Sequence, residues 1–256
     1  MKIIDIHAHD GSFPHGEPNL YDYLGETMEQ FNADLDKDDV SHCFITSTTA
    51  LLDADVIKGN QATFYDSNTD SRLFAYIYYN PCNVNLSLTE IEKYKNHHKF
   101  IGFKSRPSVH RIPIDHIAYE PLLEASVITK QPILLHCFNI ADVKPVLNVA
   151  KKYPSANIIM VHACNNEYVF ACLSAKPYSN IFFEPVTSTH FPDKIRKMID
   201  IVGHERLMFG SDYGLLSRKR VISTYEEAKL SSVEYEAIFR TNAERVFNIK
   251  NNNNGI

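Results

Sequence analysis

Eight short runs of β-branched and aromatic residues recur along the chain, and they narrow its possible folds more than any other feature. They are "KIIDIH" (2–7), "HCFITS" (42–47), "LFAYIYY" (73–79), "FIGFK" (100–104), "PILLHC" (132–137), "NIIMVH" (157–162), "NIFFEP" (180–185) and "RLMFGSD" (206–212). Runs this continuously apolar predict strands covered on both faces, as in a parallel sheet. Helical spacing lies between them. Met28, Phe31 and Leu35 precede the second run; Val143, Val146, Leu147, Ala150 and Tyr153 separate the fifth from the sixth; Ile195, Met198, Ile199 and Val202 precede the eighth. Strands alternating with helices require right-handed crossovers. Eight such units in 256 residues fit the length of an α/β protein of the (β/α)8 TIM-barrel type. A doubly wound open sheet is the runner-up, but it rarely needs eight strands. The reading is one barrel over residues 1–250, with the polar end of "KNNNNGI" (251–256) as a frayed tail.

A chain that is 44% hydrophobic and 22% charged can bury the core such a barrel needs. Its net charge of −5 supplies no basic footprint for nucleic acid or an anionic membrane. No apolar run approaches the roughly 20 residues of a membrane span, and the amino terminus lacks a signal-peptide apolar region. Five cysteines at scattered spacing (Cys43, Cys82, Cys137, Cys164, Cys172) read as reduced thiols, so a cytoplasmic protein is expected.

The polar residues fall in a pattern on these runs. In "DIHAH", His7 and His9 lie two apart, so they project to one side of the first strand, about 7 Å apart along it. In a barrel the carboxyl ends of the strands form the catalytic face. By itself the pair would read as two surface histidines. The fifth run, however, ends in His136, the sixth in His162, and the eighth reaches Asp212 after a Gly-Ser bend. Four runs thus end in an imidazole or a carboxylate on the rim where such groups can meet. These donor types suit zinc and related divalent ions.

"DIHAH", the histidines closing runs five and six, "GSDYG", "GFK" and the terminal "NAERVF" together resemble the amidohydrolase superfamily. The closest likeness is to its metal-dependent barrel branch of hydrolases and nonoxidative decarboxylases. The resemblance implies that His7, His9, His136 and Asp212 surround a divalent metal, zinc first, with manganese, iron or cobalt as alternatives. His162 would ligate a second metal or, in a single-metal enzyme, hydrogen-bond the reacting water or substrate oxygen. Asp212 would move the proton and His162 would stabilise the developing oxyanion. A homodimer is the assembly the resemblance suggests.

Other residues have more than one reading. Lys104 is carboxylated as a metal bridge in some superfamily members; uncarboxylated, it is a cation facing the pocket, and the reading leans to one metal with Lys104 on the substrate side. Arg106 could fork onto a substrate carboxylate, although Arg106 and His110 read first as solvated loop residues. Glu184 ends run seven on the rim, as a candidate substrate contact. Asp5 shares the parity of His7 and should point inward, either orienting a ligand histidine or making a structural contact. His42 falls at the opposite end of the barrel. His15 lies in a first loop (10–20) long enough to act as a flap. Cys137 faces away from His136, and Cys164 shares the side of His162 only if the strand continues.

The leading expectation is a hydrolase that uses a metal-activated water to cleave a C–N or C–O bond in a small amide, lactone or ester. The alternative is a nonoxidative decarboxylase of a small carboxylic acid with the same ligands. A ligand-binding barrel without catalysis ranks third.

Overall fold

The computed structural model describes residues 2–10, 27–52 and 54–249. Seven of the eight expected strands form one parallel sheet in sequence order. They are β1 (Ile3–Ala8), β2 (Val40–Ile45), β3 (Leu73–Tyr78), β4 (Phe100–Ser105), β5 (Ile133–His136), β6 (Ile158–Val161) and β7 (Ile181–Glu184). The eighth run differs from expectation: residues 207–213 are not a regular strand. They nevertheless close the ring. The Met208 amide donates to the Phe183 carbonyl at 3.0 Å on one side. On the other, the Ile6 amide donates to Phe209 at 3.1 Å and the Asp212 amide to His7 at 2.7 Å. The bend at Ser211 and Asp212, where Asp212 takes a left-handed φ of 54°, interrupts the ladder.

Among the described residues, eight helices of eight residues or more follow, one after each strand or closing segment. They are α1 (Met28–Lys37), α2 (Val56–Asp66), α3 (Val84–Tyr94), α4 (Glu120–Thr129), α5 (Val143–Lys152), α6 (Tyr168–Ala175), α7 (Lys194–Val202) and α8 (Arg218–Glu227). Local chemistry starts several of them. Thr27 caps α1 by accepting from the Gln30 amide, and Asp55 caps α2 by accepting from Lys58. The apolar spacing read from the sequence gives α1 its buried Phe31 and Leu35, and α7 its buried Ile195, Met198 and Ile199.

The sheet separates two apolar layers. Ile4, Ile6, Phe44, Tyr76, Leu134, Ile159, Phe182 and Met208 fill the interior, closed off by Val246 and Phe247. Ile3, Cys43, Ile45, Ile77, Phe103 and their neighbours pack outward against the helices. Each such side chain, fully buried, contributes about 1.5–3 kcal/mol.

The first strand breaks this alternation where the site begins. Asp5 pairs with Cys43 but Ala8 pairs with Ile45, so β1 carries one more residue than β2 over that interval. Such a bulge re-aims the side chains beyond it. Ile4 and Ile6 face the interior, and so do His7 and His9. Asp5, expected inward with His7, is instead turned to the helical layer. It accepts from the Ser211 amide (3.0 Å) and hydroxyl (2.5 Å) and from Arg218 Nε (2.9 Å). Of the readings open for Asp5, the structural contact is the one found.

Candidate metal centre and active site

At the carboxyl ends of the strands lies a cavity of about 280 Å³. His7, His9, Lys104, Arg106, His136, His162 and Asp212 supply its polar wall; Leu51, Leu52, Phe138, Leu215 and Leu216 supply its apolar wall. On β5, His136 continues the alternation of the inward-facing Leu134; on β4, one extra residue relative to β3 between Phe100 and Gly102 precedes Lys104, which pairs with Tyr78 and lines the cavity.

Three of the residues form a tight donor group: one atom each from His7, His9 and Asp212 lies within 4.8 Å of the others. Asp212 Oδ1 is 3.0 Å from His9 Nε2 and 3.4 Å from His7 Nε2. Outer partners fix both rings. His9 Nδ1 donates to the Thr46 carbonyl at 3.0 Å, and His7 Nδ1 faces Glu184 Oε2 at 3.3 Å. With the proton on Nδ1, the His9 Nε2 lone pair meets the Asp212 carboxylate and the His7 Nε2 lone pair faces Lys104 Nζ at 3.1 Å, so both are available as donors to a cation placed among them. Burial, then the Lys104 charge, holds His7 well below its usual range. Burial acts to raise Asp212, but His7 and His9 outweigh it and keep the carboxyl well below the ordinary range. The stable state is therefore neutral His7 beside ionised Asp212.

His136 is outside this tight group but lines the same cavity, with its ring 4.8 Å from that of His162. Its Nδ1 is buried and has no hydrogen-bond partner. Burial also holds the ring well below its usual range, as an uncharged base. An orphaned neutral imidazole beside two oriented imidazoles and a carboxylate fits a divalent ion held by nitrogen and oxygen donors.

Gly210 makes the approach of these chains possible. A Cβ there would sit 2.7 Å from Glu184 Cγ and 2.8 Å from His7 Cβ. Gly214 has φ +98°, and a Cβ would meet the His9 carbonyl at 2.6 Å.

His162 follows β6 directly. It begins a left-handed run with φ 65° at His162, 47° at Ala163, 58° at Cys164 and 52° at Asn165. The left-handed conformation costs roughly 1–2 kcal/mol per residue, so the turn needs support. Cys164 N–H donates to the Cys137 carbonyl at 2.9 Å. His162 Nδ1 donates to the Val186 carbonyl at 2.8 Å, and Lys194 Nζ to the His162 carbonyl at 3.2 Å. Burial pushes His162 down to about 4, leaving a neutral ring with an unprotonated Nε2. Because the strand stops at Val161, Cys164 does not share the His162 side as a strand residue; it is buried and outside the donor group.

Lys104 Nζ lies 3.1 Å from His7 Nε2, and burial pushes its ammonium down to about 7. Arg106 lines the cavity rather than standing in solvent. Its Nη1 donates to the Leu51 carbonyl at 2.8 Å, and burial lowers its basicity. Glu184 does not line the cavity. It is wholly buried behind His7, accepting from the Val186 amide at 2.7 Å, and burial raises its carboxyl well above the usual range. Its position is that of a carboxylate orienting a histidine, not of a substrate contact. His110 pairs with the Tyr78 hydroxyl at 2.8 Å. His42 stacks on Phe74 near the start of β2. His15 and the rest of the first loop beyond Asp10, and the tail from 251, lie outside the described residues.

The sequence reading missed three supports: Thr46, Lys194 and Arg218. Arg218 is buried against Tyr213 and joins Asp5 to Asp38. Thr46 closes an apolar run, but nothing in the polar settings of Lys194 ("PDKIR") and Arg218 ("SRKRV") signalled burial.

The amidohydrolase family model matches residues 4–249, and the chain belongs to that family. It is an enzyme of the amidohydrolase type, a group whose structures on this fold include decarboxylases and hydrolases. One similar structure is a dihydroxybenzoic acid decarboxylase from Polaromonas sp. JS666 with bound manganese and the inhibitor 2-nitroresorcinol. It has a TM-score of 0.75 and 14% identity over 97% of this chain and 97% of that one. Another is 5-carboxyvanillate decarboxylase from Sphingomonas paucimobilis, at 0.74 and 13% over 97% and 99%. A Pseudomonas putida protein provisionally assigned as a 2-pyrone-4,6-dicarboxylic acid hydrolase scores 0.71 at 15% over 96% and 97%. At such identities the likeness speaks to the fold. No curated protein sequence matches the chain.

Proposed function

We propose that the protein is a divalent-metal-dependent nonoxidative decarboxylase of a small planar carboxylic acid. One observation carries this reading: the cavity sets two basic side chains, Lys104 and Arg106, and an apolar wall around Phe138 beside the His7–His9–Asp212 donors. A carboxylate on a flat apolar body matches that surface. The decarboxylases among the similar structures, whose names specify aromatic acids, support the same choice.

A divalent cation held by His7, His9 and Asp212, with His136 beside them, would supply Lewis acidity toward the substrate's oxygens and the charge left on carbon. Manganese, present in the Polaromonas relative, and zinc, suited to nitrogen-rich donors, are the ions to test. Arg106 keeps guanidinium N–H groups free of the Leu51 carbonyl for an acidic substrate group. Phe138 and the leucines exclude water from the ring. The bond between ring and carboxyl carbon breaks, its electron pair stays on the ring carbon, and CO2 leaves as a proton arrives there. Asp212, the sole carboxylate lining the cavity among the described residues, passes that proton from a substrate hydroxyl or solvent. His162, neutral at its Nε2, accepts a hydrogen bond from a substrate hydroxyl.

Hydrolysis is the second reading, because Asp212 is ionised at rest and already a base for a water. The discriminating experiment supplies manganese or zinc and compares CO2 release from hydroxybenzoates with opening of pyrone lactones and amides. CO2 release from an aromatic acid is expected. Turnover of a lactone or amide without CO2 would put hydrolysis first.

A further inference from the structure

We propose that His110 is a positioning residue: through a hydrogen bond to Tyr78 it fixes the Arg106 guanidinium, and so sets the site's preference for acids over neutral analogues. Neither His110 nor Tyr78 lines the catalytic cavity, whereas Arg106 does. The inference rests on the reading of Arg106 as the partner of a substrate's acidic group.

Arg106 follows β4 directly and opens a single helical turn, Pro107–His110. Its carbonyl accepts from the Val109 and His110 amides at 3.1 and 3.2 Å, so Arg106 starts the turn and His110 ends it. One isolated turn orders several dihedrals for few bonds and does not hold itself. Arg111, which closes it at a left-handed φ of 56°, adds strain rather than support. An anchor outside the turn is needed, and His110 supplies it. Its Nε2 lies 2.8 Å from the Tyr78 hydroxyl. Tyr78 is a fixed point: it is fully buried at the end of β3, and the Asn60 side chain accepts from its amide at 2.7 Å and donates to its carbonyl at 3.2 Å. Burial raises the Tyr78 hydroxyl above its usual range and pushes His110 down to about 4. At neutral pH the phenol therefore donates and the uncharged imidazole accepts.

Tyr78 also reaches the other end of Arg106. Its side chain packs with Leu51, whose carbonyl accepts from Arg106 Nη1 at 2.8 Å. The contacts close a ring, from Tyr78 through His110 and the turn to Arg106, and back through Leu51 to Tyr78. The guanidinium is thereby held at its base and at its head, while its remaining N–H groups face no carboxylate among the described residues. An arginine free to turn loses freedom when it binds an anion, and one already ordered does not. A neutral ligand of the same shape gains little from the fixed charge, so the ring of contacts acts on the choice between an acid and its neutral analogue.

The test titrates manganese-loaded protein with benzoate and with benzamide, its neutral analogue, by calorimetry, and reads the ratio of the two affinities. Arg106→Met should lower the ratio about tenfold or more. His110→Ala and Tyr78→Phe should each lower it about three- to tenfold, the worth of one hydrogen bond. His110→Gln, which keeps an acceptor for the Tyr78 hydroxyl, should recover most of the loss. In an Arg106→Met background, His110→Ala should change the ratio no further. A merely structural His110 would cost stability and leave the ratio alone, and Tyr78→Phe carries the test if His110→Ala does not fold. Unchanged ratios in the His110 and Tyr78 variants beside a fall in Arg106→Met would overturn the positioning role alone. An unchanged ratio in Arg106→Met would overturn the carboxylate reading of Arg106 and this inference with it.

Discussion

At the amino ends of the strands, aromatic rings fill the barrel: Phe44 meets Phe247 at 4.8 Å and Tyr76 at 6.1 Å between ring centroids. At the carboxyl ends, polar side chains of the strands and of the segments that follow them surround a cavity. The first end shifts register too, between β1 and β2 and between β3 and β4, but it buries an apolar layer. The second breaks alternation at the β1 bulge and at the left-handed turn after β6, and it buries titratable groups together. A well-packed apolar end fixes the strands so that the opposite end can tolerate strain and unpaired donors.

Substitutions at the two ends should therefore separate activity from stability. Asp212→Asn should lower kcat by a factor on the order of 10² to 10⁴ with little change in the thermal midpoint of the metal-free protein. A comparable loss of stability would mean that Asp212 belongs to the framework. Phe182→Ala, inside the ring, should cost about 3–5 kcal/mol in denaturant unfolding while leaving metal binding by the folded fraction intact.

The polar end should also set the acid limit of the metal-free protein. His162 and His110 are each pushed down to about 4 by burial, from an ordinary value of 6.5. Between those values the unfolded chain binds more protons than the folded one, so stability falls as pH drops from about 6.5 toward 4. The folding constant should fall roughly a hundredfold or more across that window. A flat stability profile there would mean that these rings are not buried in the neutral form. The smallest effect is expected at Glu184→Gln, which keeps the shape behind His7 but replaces the carboxyl oxygen that faces its Nδ1. Metal affinity should drop about 10- to 100-fold in a competition titration, with the fold retained.

The strands and the rim were legible because both follow simple periods. Apolar runs mark strands, and a polar residue at the end of a run marks the rim. His7, His9, Lys104, His136, His162 and Asp212 were all placed at that rim from the sequence, and all line the cavity. What escaped depended on departures from the period. The extra residue in β1 cannot be seen without its partner strand, so Asp5 was turned the wrong way. The bend at Ser211 and Asp212 made a strand-like run into a closing segment. Glu184 has the right position and parity, but whether an inward carboxylate faces solvent or a histidine depends on the neighbouring strand. Arg218 and Lys194 lie at the starts of amphipathic helices, where a long cation ordinarily reaches water.

The central claim is that His7, His9 and Asp212 hold one divalent cation. Elemental analysis of freshly purified protein, repeated after dialysis against chelator and reloading with manganese or zinc, tests it most directly. The account predicts a reloadable ion at about one per chain, lost in His9→Ala and Asp212→Asn while Phe182→Ala retains it. A folded protein that takes up no divalent metal, or takes it up equally in all three variants, would contradict it.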